Sequence, residues 1–360
     1  MLKKALVIAV IYSLFGGCSN KLNILAPYKE SVSVYGLLDS TDVISYTRIE
    51  RVFLGAGNSY TMAQNPDSVY FASGELTVSL QRWNLYTGAQ VSVDVPASAN
   101  MQIVLTDTLM QLDAGTFNPN ARIYKTNHKL YAYDTNCVYK LIIQNNKTGK
   151  QFTSQTPMVG GFQLIDVPNT NNSIGPNYNA SIPLNIVPGN QGIVTCQYNS
   201  PVNAGVCSLT MRLFYTENNI SKYADLGLGT YYPTSTTGGE NQKFDYEGTS
   251  LLSYIASAIP VPANPSITRT ADSIEFLLIA GGSNLALYNQ VNSSTPLSQN
   301  IPNYSNISGG IGVFSSRYQK SYKRILSDQN NQACLDTLAG SSITCKLQFL
   351  NYNGNLVPCH

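Results

Sequence analysis

Apolar and polar residues alternate along this chain in short runs separated by turn-forming residues. Leu76, Val78 and Leu80 alternate with Thr77 and Ser79, and Val91, Val93 and Val95 with Ser92 and Asp94. That period of two is the mark of strands with one buried face. Further extended runs are predicted at Val32–Leu37, Arg48–Leu54, Met101–Leu105, Tyr139–Ile143 and Phe152–Met158. Gly, Asn and Pro between them supply turns, so the first half reads as a β-sandwich.

The second half changes character. Pro168 to Asn179, PNTNNSIGPNYN, is polar and turn-rich, which places a boundary in the region 160–180. Leu251, Leu252, Ile255 and Ile259 recur at helical spacing, with Thr249 or Ser250 as the expected cap and Pro260 and Pro262 as the stop. Ser283–Val291 and Ser315–Leu326 are two more helix candidates. Tyr215–Tyr246, rich in Tyr and Asn, reads as exposed loop, either plainly solvated or able to meet glycans or protein partners. The fold class expected is mostly β: an N-terminal β-sandwich of the Ig or transthyretin kind, then a second β-rich domain with a few short helices.

The N-terminus has its own logic. Lys3 and Lys4 precede an apolar run, Ala5 to Phe15, and the small pair Gly16-Gly17 stands directly before Cys18. Basic, apolar, small is the order of a secretory signal. The apolar run is too short to span a bilayer, which takes about 20 residues. A cysteine directly after the small pair points to lipid attachment at Cys18. The expected layout is signal peptide 1–17, tether 18–25, β-sandwich 26–165 and second β-rich domain 166–360.

Composition agrees with export. Charged residues are 12% of the chain, about half the usual share. Loss of Lys3 and Lys4 with the signal leaves basic and acidic residues equal at twenty each. A neutral balance argues against nucleic acid as a partner, since phosphate binding relies on clustered basic charge. Six cysteines follow Cys18, an even number in an exported protein, which suggests disulfides. Cys196 and Cys207 flank a turn-rich segment, and Cys334 and Cys345 flank another at the same spacing. Opposed hairpin positions lie within disulfide reach, so both pairs are expected, with Cys137–Cys359 left by elimination. With no Cys-x-x-Cys and two histidines, metal is disfavoured, and no cofactor is expected.

Catalytic patterns are sparse. His128 lies in a polar loop and His360 ends the chain. No Gly-x-Ser-x-Gly, His-Glu-x-x-His, phosphate loop or calcium loop occurs. Pairs of carboxylates could serve glycoside hydrolysis, but twenty acids give that no specificity. Arg317, Lys320, Lys323 and Arg324, interleaved with Tyr318 and Tyr322, read as a solvated helix face or a contact with anionic surface sugars. Trp83, the one tryptophan, reads as core filler.

Two segments carry a resemblance. Asn306-Ile307-Ser308-Gly309-Gly310-Ile311-Gly312-Val313-Phe314 and the run Tyr139–Ser154, with its polar turn at 145–149, are similar to a family of Bacteroidota lipoproteins known only as a domain of unknown function. The lipid cysteine and overall order match too. The resemblance implies an outer-membrane lipoprotein, encoded beside TonB-dependent receptors and serving nutrient uptake. It implies no catalytic residues. In that phylum acids soon after the lipidated cysteine go with surface export. Ser19-Asn20-Lys21-Leu22 lacks one, which favours the periplasmic leaflet. The function expected is a non-enzymatic binding or accessory lipoprotein. A fimbrial or adhesin subunit assembled by strand addition is the alternative, and an envelope glycan hydrolase a more distant one.

Overall fold

The alternating runs become strands, and most join one sheet. The computed structural model describes residues 30–52, 59–111, 120–131, 136–166, 172–175, 183–189, 192–292, 304–327 and 332–360. Cys18 and the segments expected to be signal peptide (1–17) and tether (18–25) lie outside the described residues.

The first half holds β1 (Val32–Asp39), β2 (Ser45–Arg51), β3 (Leu76–Asn84), β4 (Gln90–Val91), β5 (Gln102–Gln111), β6 (Asn120–Thr126), β7 (Cys137–Asn145) and β8 (Gln151–Pro157). Two short helices, α1 (Ser59–Ala63) and α2 (Pro66–Val69), lie between β2 and β3. The strands run in the order β1-β2-β6-β5-β3-β7-β8. β5 makes this a two-layered arrangement. Its start, Gln102–Leu105, pairs with β3, while Thr106–Gln111 pairs with β6. A strand that changes partner midway carries the chain from one layer to the other. Between the layers lie Val34, Leu38, Val78, Leu80, Leu141, Ile143 and Phe152, all nearly inaccessible.

The second half holds β9 (Gln163–Leu164), β10 (Ser173–Ile174), β11 (Ile193–Asn199), β12 (Ala204–Glu217), β13 (Ile220–Tyr231), β14 (Asn241–Glu247), β15 (Arg269–Gly282) and β16 (Ile311–Ile325). Three helices accompany them: α3 (Gly248–Ala258), α4 (Ser283–Asn292) and α5 (Ala333–Gly340). β13-β12-β15-β16 forms one sheet, and β10-β11-β14, with β9 against β11, forms a smaller one. Leu209, Met211, Leu213, Ile274, Phe276 and Leu278 point from the large sheet into a second core, shared with Val194, Leu251, Ile255 and Leu338. The fold is mostly β with few short helices.

The halves are joined by β16. Its first seven residues run parallel to β1, from Ser33 opposite Ile311 to Asp39 opposite Arg317, and its Phe314 belongs to the first core. The large sheet is therefore continuous through both halves, with twelve strands. Glycines make this junction. Gly310 lies where a Cβ would stand 2.6 Å from the Val32 carbonyl oxygen, and Gly312 holds φ at +108°. Only glycine takes that conformation without strain.

Several expectations are corrected here. Ser315–Leu326 is strand, not helix. Its inward residues Tyr318, Tyr322 and Arg324 lie opposite Ala280, Phe276 and Ile274 of β15. Tyr215–Tyr246 is largely strand, with β12 and β13 joined through Asn218 and Asn219 at φ 47° and 66°. Those two left-handed residues form the tight turn that suits the twist of an antiparallel pair. Helix α3 begins one residue before Thr249, without a side-chain cap. Gly248 starts it because a Cβ there would meet the Ile186 carbonyl oxygen at 2.2 Å.

None of the three expected disulfides forms. The bridge present is Cys345–Cys359, with Cα atoms 5.4 Å apart. Cys196 and Cys207 do not sit on one hairpin. β11 pairs with β14, whereas β12 pairs with β13 and β15, so the two thiols belong to different sheets. The turn-rich segment after Cys334 is a helix, not a hairpin. Cys334 faces the core from α5, and Cys345 in the following short 3₁₀ turn faces the tail. Cys359 is thereby taken, and Cys137, buried at the start of β7, is not joined to it.

Candidate functional site

The outer face of the β3–β7–β8 layer carries a groove. Because Leu76, Val78 and Leu80 point inward, Thr77, Ser79, Gln81 and Trp83 must point outward. Register sets the rest. Gln102 of β5, Gln81 of β3, Lys140 of β7 and Gln155 of β8 stand opposite one another in a row. Four adjacent strands span about 14 Å. The next row is Val104, Ser79, Ile142 and Thr153. Trp83 closes one end.

The side chains hold each other. The Trp83 indole N–H donates to Gln81 Oε1 at 3.0 Å. The Lys140 ammonium lies over the indole, 3.8 Å from the ring centroid, an attraction worth about 0.5–2 kcal/mol depending on exposure. The far wall is the segment 306–308. Its Ser308 N–H donates to the Thr153 carbonyl oxygen at 2.8 Å, and Ser154 Oγ donates to the Asn306 carbonyl oxygen at 2.7 Å. The Asn306 side chain is clamped in turn to Phe314, donating to its carbonyl oxygen and accepting from its N–H. The wall is thus pinned to β8 on one side and to β16 on the other. The groove encloses about 460 Å³, within the range of about 300–1,000 Å³ typical of ligand sites. Its lining offers one ammonium, one indole, three amides and three hydroxyls, and no carboxylate.

Trp83 is therefore partly buried groove lining rather than core filler. A signal for this existed, since Trp83 lies three residues from Leu80, on the opposite face of a period-two strand. The meeting of Gln81, Lys140 and Gln155 had no such signal, because cross-strand register brings them together.

The other candidates disperse. His128 Nε2 lies 3.1 Å from Asp94 Oδ1. The Asp94 carboxyl is held below its ordinary range by hydrogen bonds from Ser98 and Asn100, against some burial. The Ser98 hydroxyl donates to the Asp94 carboxylate, and the Thr126 hydroxyl accepts from the His128 backbone N–H at 3.0 Å. The His360 ring packs against Gly340. The basic residues of β16 separate. Arg317 pairs with Asp39 at 2.7 Å, Lys323 lies over Phe214, and Arg324 is buried, donating to the Ser173 and Pro183 carbonyl oxygens. Among the described residues no three His, Cys, Asp or Glu side chains form a metal cluster, and no helix is long and apolar enough to cross a membrane.

Compared with known proteins, the chain matches no protein-family model and no curated sequence.

Proposed function

We propose that this chain is a lipid-anchored, non-enzymatic binding protein of the outer membrane, working beside a TonB-dependent receptor in nutrient uptake. The observation that carries the reading is the groove at Trp83 and Lys140. It is of ligand size and is built on sheet residues, which hold polar groups more rigidly than loops do. Cys18 supplies the anchor, with the body on the periplasmic leaflet. Tethering raises the local concentration of the groove beside a membrane partner.

Two measurements test this. Labelled fatty acid should incorporate into the native product and not into Cys18→Ala, which should leave the membrane fraction. Capture of the native lipoprotein from outer membranes should recover a TonB-dependent receptor. Absence of label, or repeated capture without any membrane partner, overturns the reading. Recovery in high-mass polymers would instead indicate a fimbrial subunit.

A further inference from the structure

Resting on the reading of the Trp83 groove as a ligand site, we propose that its ligand is an acidic oligosaccharide, with a uronate carboxylate paired to Lys140. Three observations lead there. The first is charge. Lys140 is the one ionisable group of the groove, no acid lines it, and among the described residues its ammonium has no carboxylate partner. The indole beneath holds the ammonium in place, which leaves its outer side for an anion. An ammonium so oriented loses less freedom when a carboxylate arrives.

The second is the kind of polar group. Gln81 and Gln155 flank Lys140 in the row, and Thr153 and Ser308 lie beyond. Amides and hydroxyls both donate and accept, as the hydroxyls of a sugar require. Among the described residues the Gln155 side-chain amide has no hydrogen-bond partner of its own. The groups are spread along the groove, so they suit several linked sugars better than one small acid.

The third is what the groove refuses. A peptide binds a sheet by adding a strand to a free edge. Beside the groove the edge of β8 is capped at Thr153, where Ser308 bridges to it and interrupts the run of free backbone groups a strand would need. A peptide would have to lie across the strands without backbone pairing, whereas a sugar chain needs no such edge.

Trp83 is the sole tryptophan of the chain, so intrinsic fluorescence reports this groove directly. The full lipoprotein in detergent should be titrated with oligogalacturonate, oligomannuronate, the methyl ester of the first, and polyglutamate. A saturable fluorescence change that calorimetry reproduces is expected for at least one of the two uronates. The ester should bind roughly tenfold more weakly or worse, as loss of a charged hydrogen bond predicts. Lys140→Gln should weaken the uronate by a similar factor while Lys140→Arg retains it. Gln155→Ala, farther from the ring, should weaken binding without altering the starting fluorescence. Thermal melting should confirm that each variant is folded. No saturable response to either uronate, equal binding of the ester, or tighter binding of polyglutamate overturns the proposal. Capture of a receptor by Lys140→Gln would leave the tethered-accessory reading standing even then, whereas loss of membrane attachment in Cys18→Ala tests that reading alone.

Discussion

Gly312 lies so close to Val34 that a Cβ on it would stand 2.0 Å from the Val34 carbonyl oxygen. The contact sits in the parallel ladder of β1 and β16, which carries one sheet through both halves. Gly312→Ala combines this clash with a backbone at φ +108° that alanine avoids. It should cost about 3 kcal/mol or more, read by chemical denaturation. Gly354→Ala, with positive φ but open space around it, should cost about 1 kcal/mol. Equal effects would mean that the approach to β1 is unimportant.

The cysteines should partition in a defined way. Non-reducing peptide mapping should find Cys345 joined to Cys359. Cys196, Cys207 and Cys334 should resist alkylation in the native protein, because burial pushes each thiol up to about 12. They should react once the chain is unfolded without reductant. Cys359→Ser opens a loop of 14 residues' separation and should lower stability by about 3 kcal/mol at most. Reductant should destabilise the parent chain and not this variant.

Glu75 sets an acid limit. Burial alone would raise its pKa. The Ala72 N–H, Lys147 and Arg51 bind its carboxylate and outweigh burial, so the net shift is downward. A group whose folded pKa is depressed stabilises the protein above its unfolded value and loses that contribution as pH falls through the folded one. The loss should begin as pH drops below about 4.3, the ordinary glutamate value. Glu75→Gln should cost about 2 kcal/mol at pH 7 and flatten the acid limb of a stability profile. An unchanged acid limb would assign it to other carboxylates.

The β12–β13 turn offers a gain. Asn219 holds φ at 66° and is exposed. Asn219→Gly should stabilise by up to about 0.5 kcal/mol or be neutral, while Asn219→Val, β-branched at a left-handed position, should cost about 1–2 kcal/mol. Thermal melts of the two variants read the difference.

Local pattern was legible wherever neighbouring residues in sequence also share one environment. Leu76, Val78 and Leu80 announce β3, and Leu251, Leu252 and Ile255 announce α3. Ser315–Leu326 misleads for a physical reason. Tyr318 and Tyr322 are four residues apart, a separation that returns to the same face in a helix and in a strand alike. Pairing with the buried face of β15 decides for strand. The cysteine spacings mislead similarly, because equal separations span a change of sheet in one case and a helix in the other.

By itself, the sequence determined the mostly β class, the position of α3 and the inward face of β3, since each depends on residues within a few positions of one another. The tertiary structure alone decided the β1–β16 junction, the Cys345–Cys359 bridge and the row Gln81, Lys140 and Gln155. Those depend on register between strands distant in sequence, and register is set by which apolar faces bury together rather than by any local run of residues.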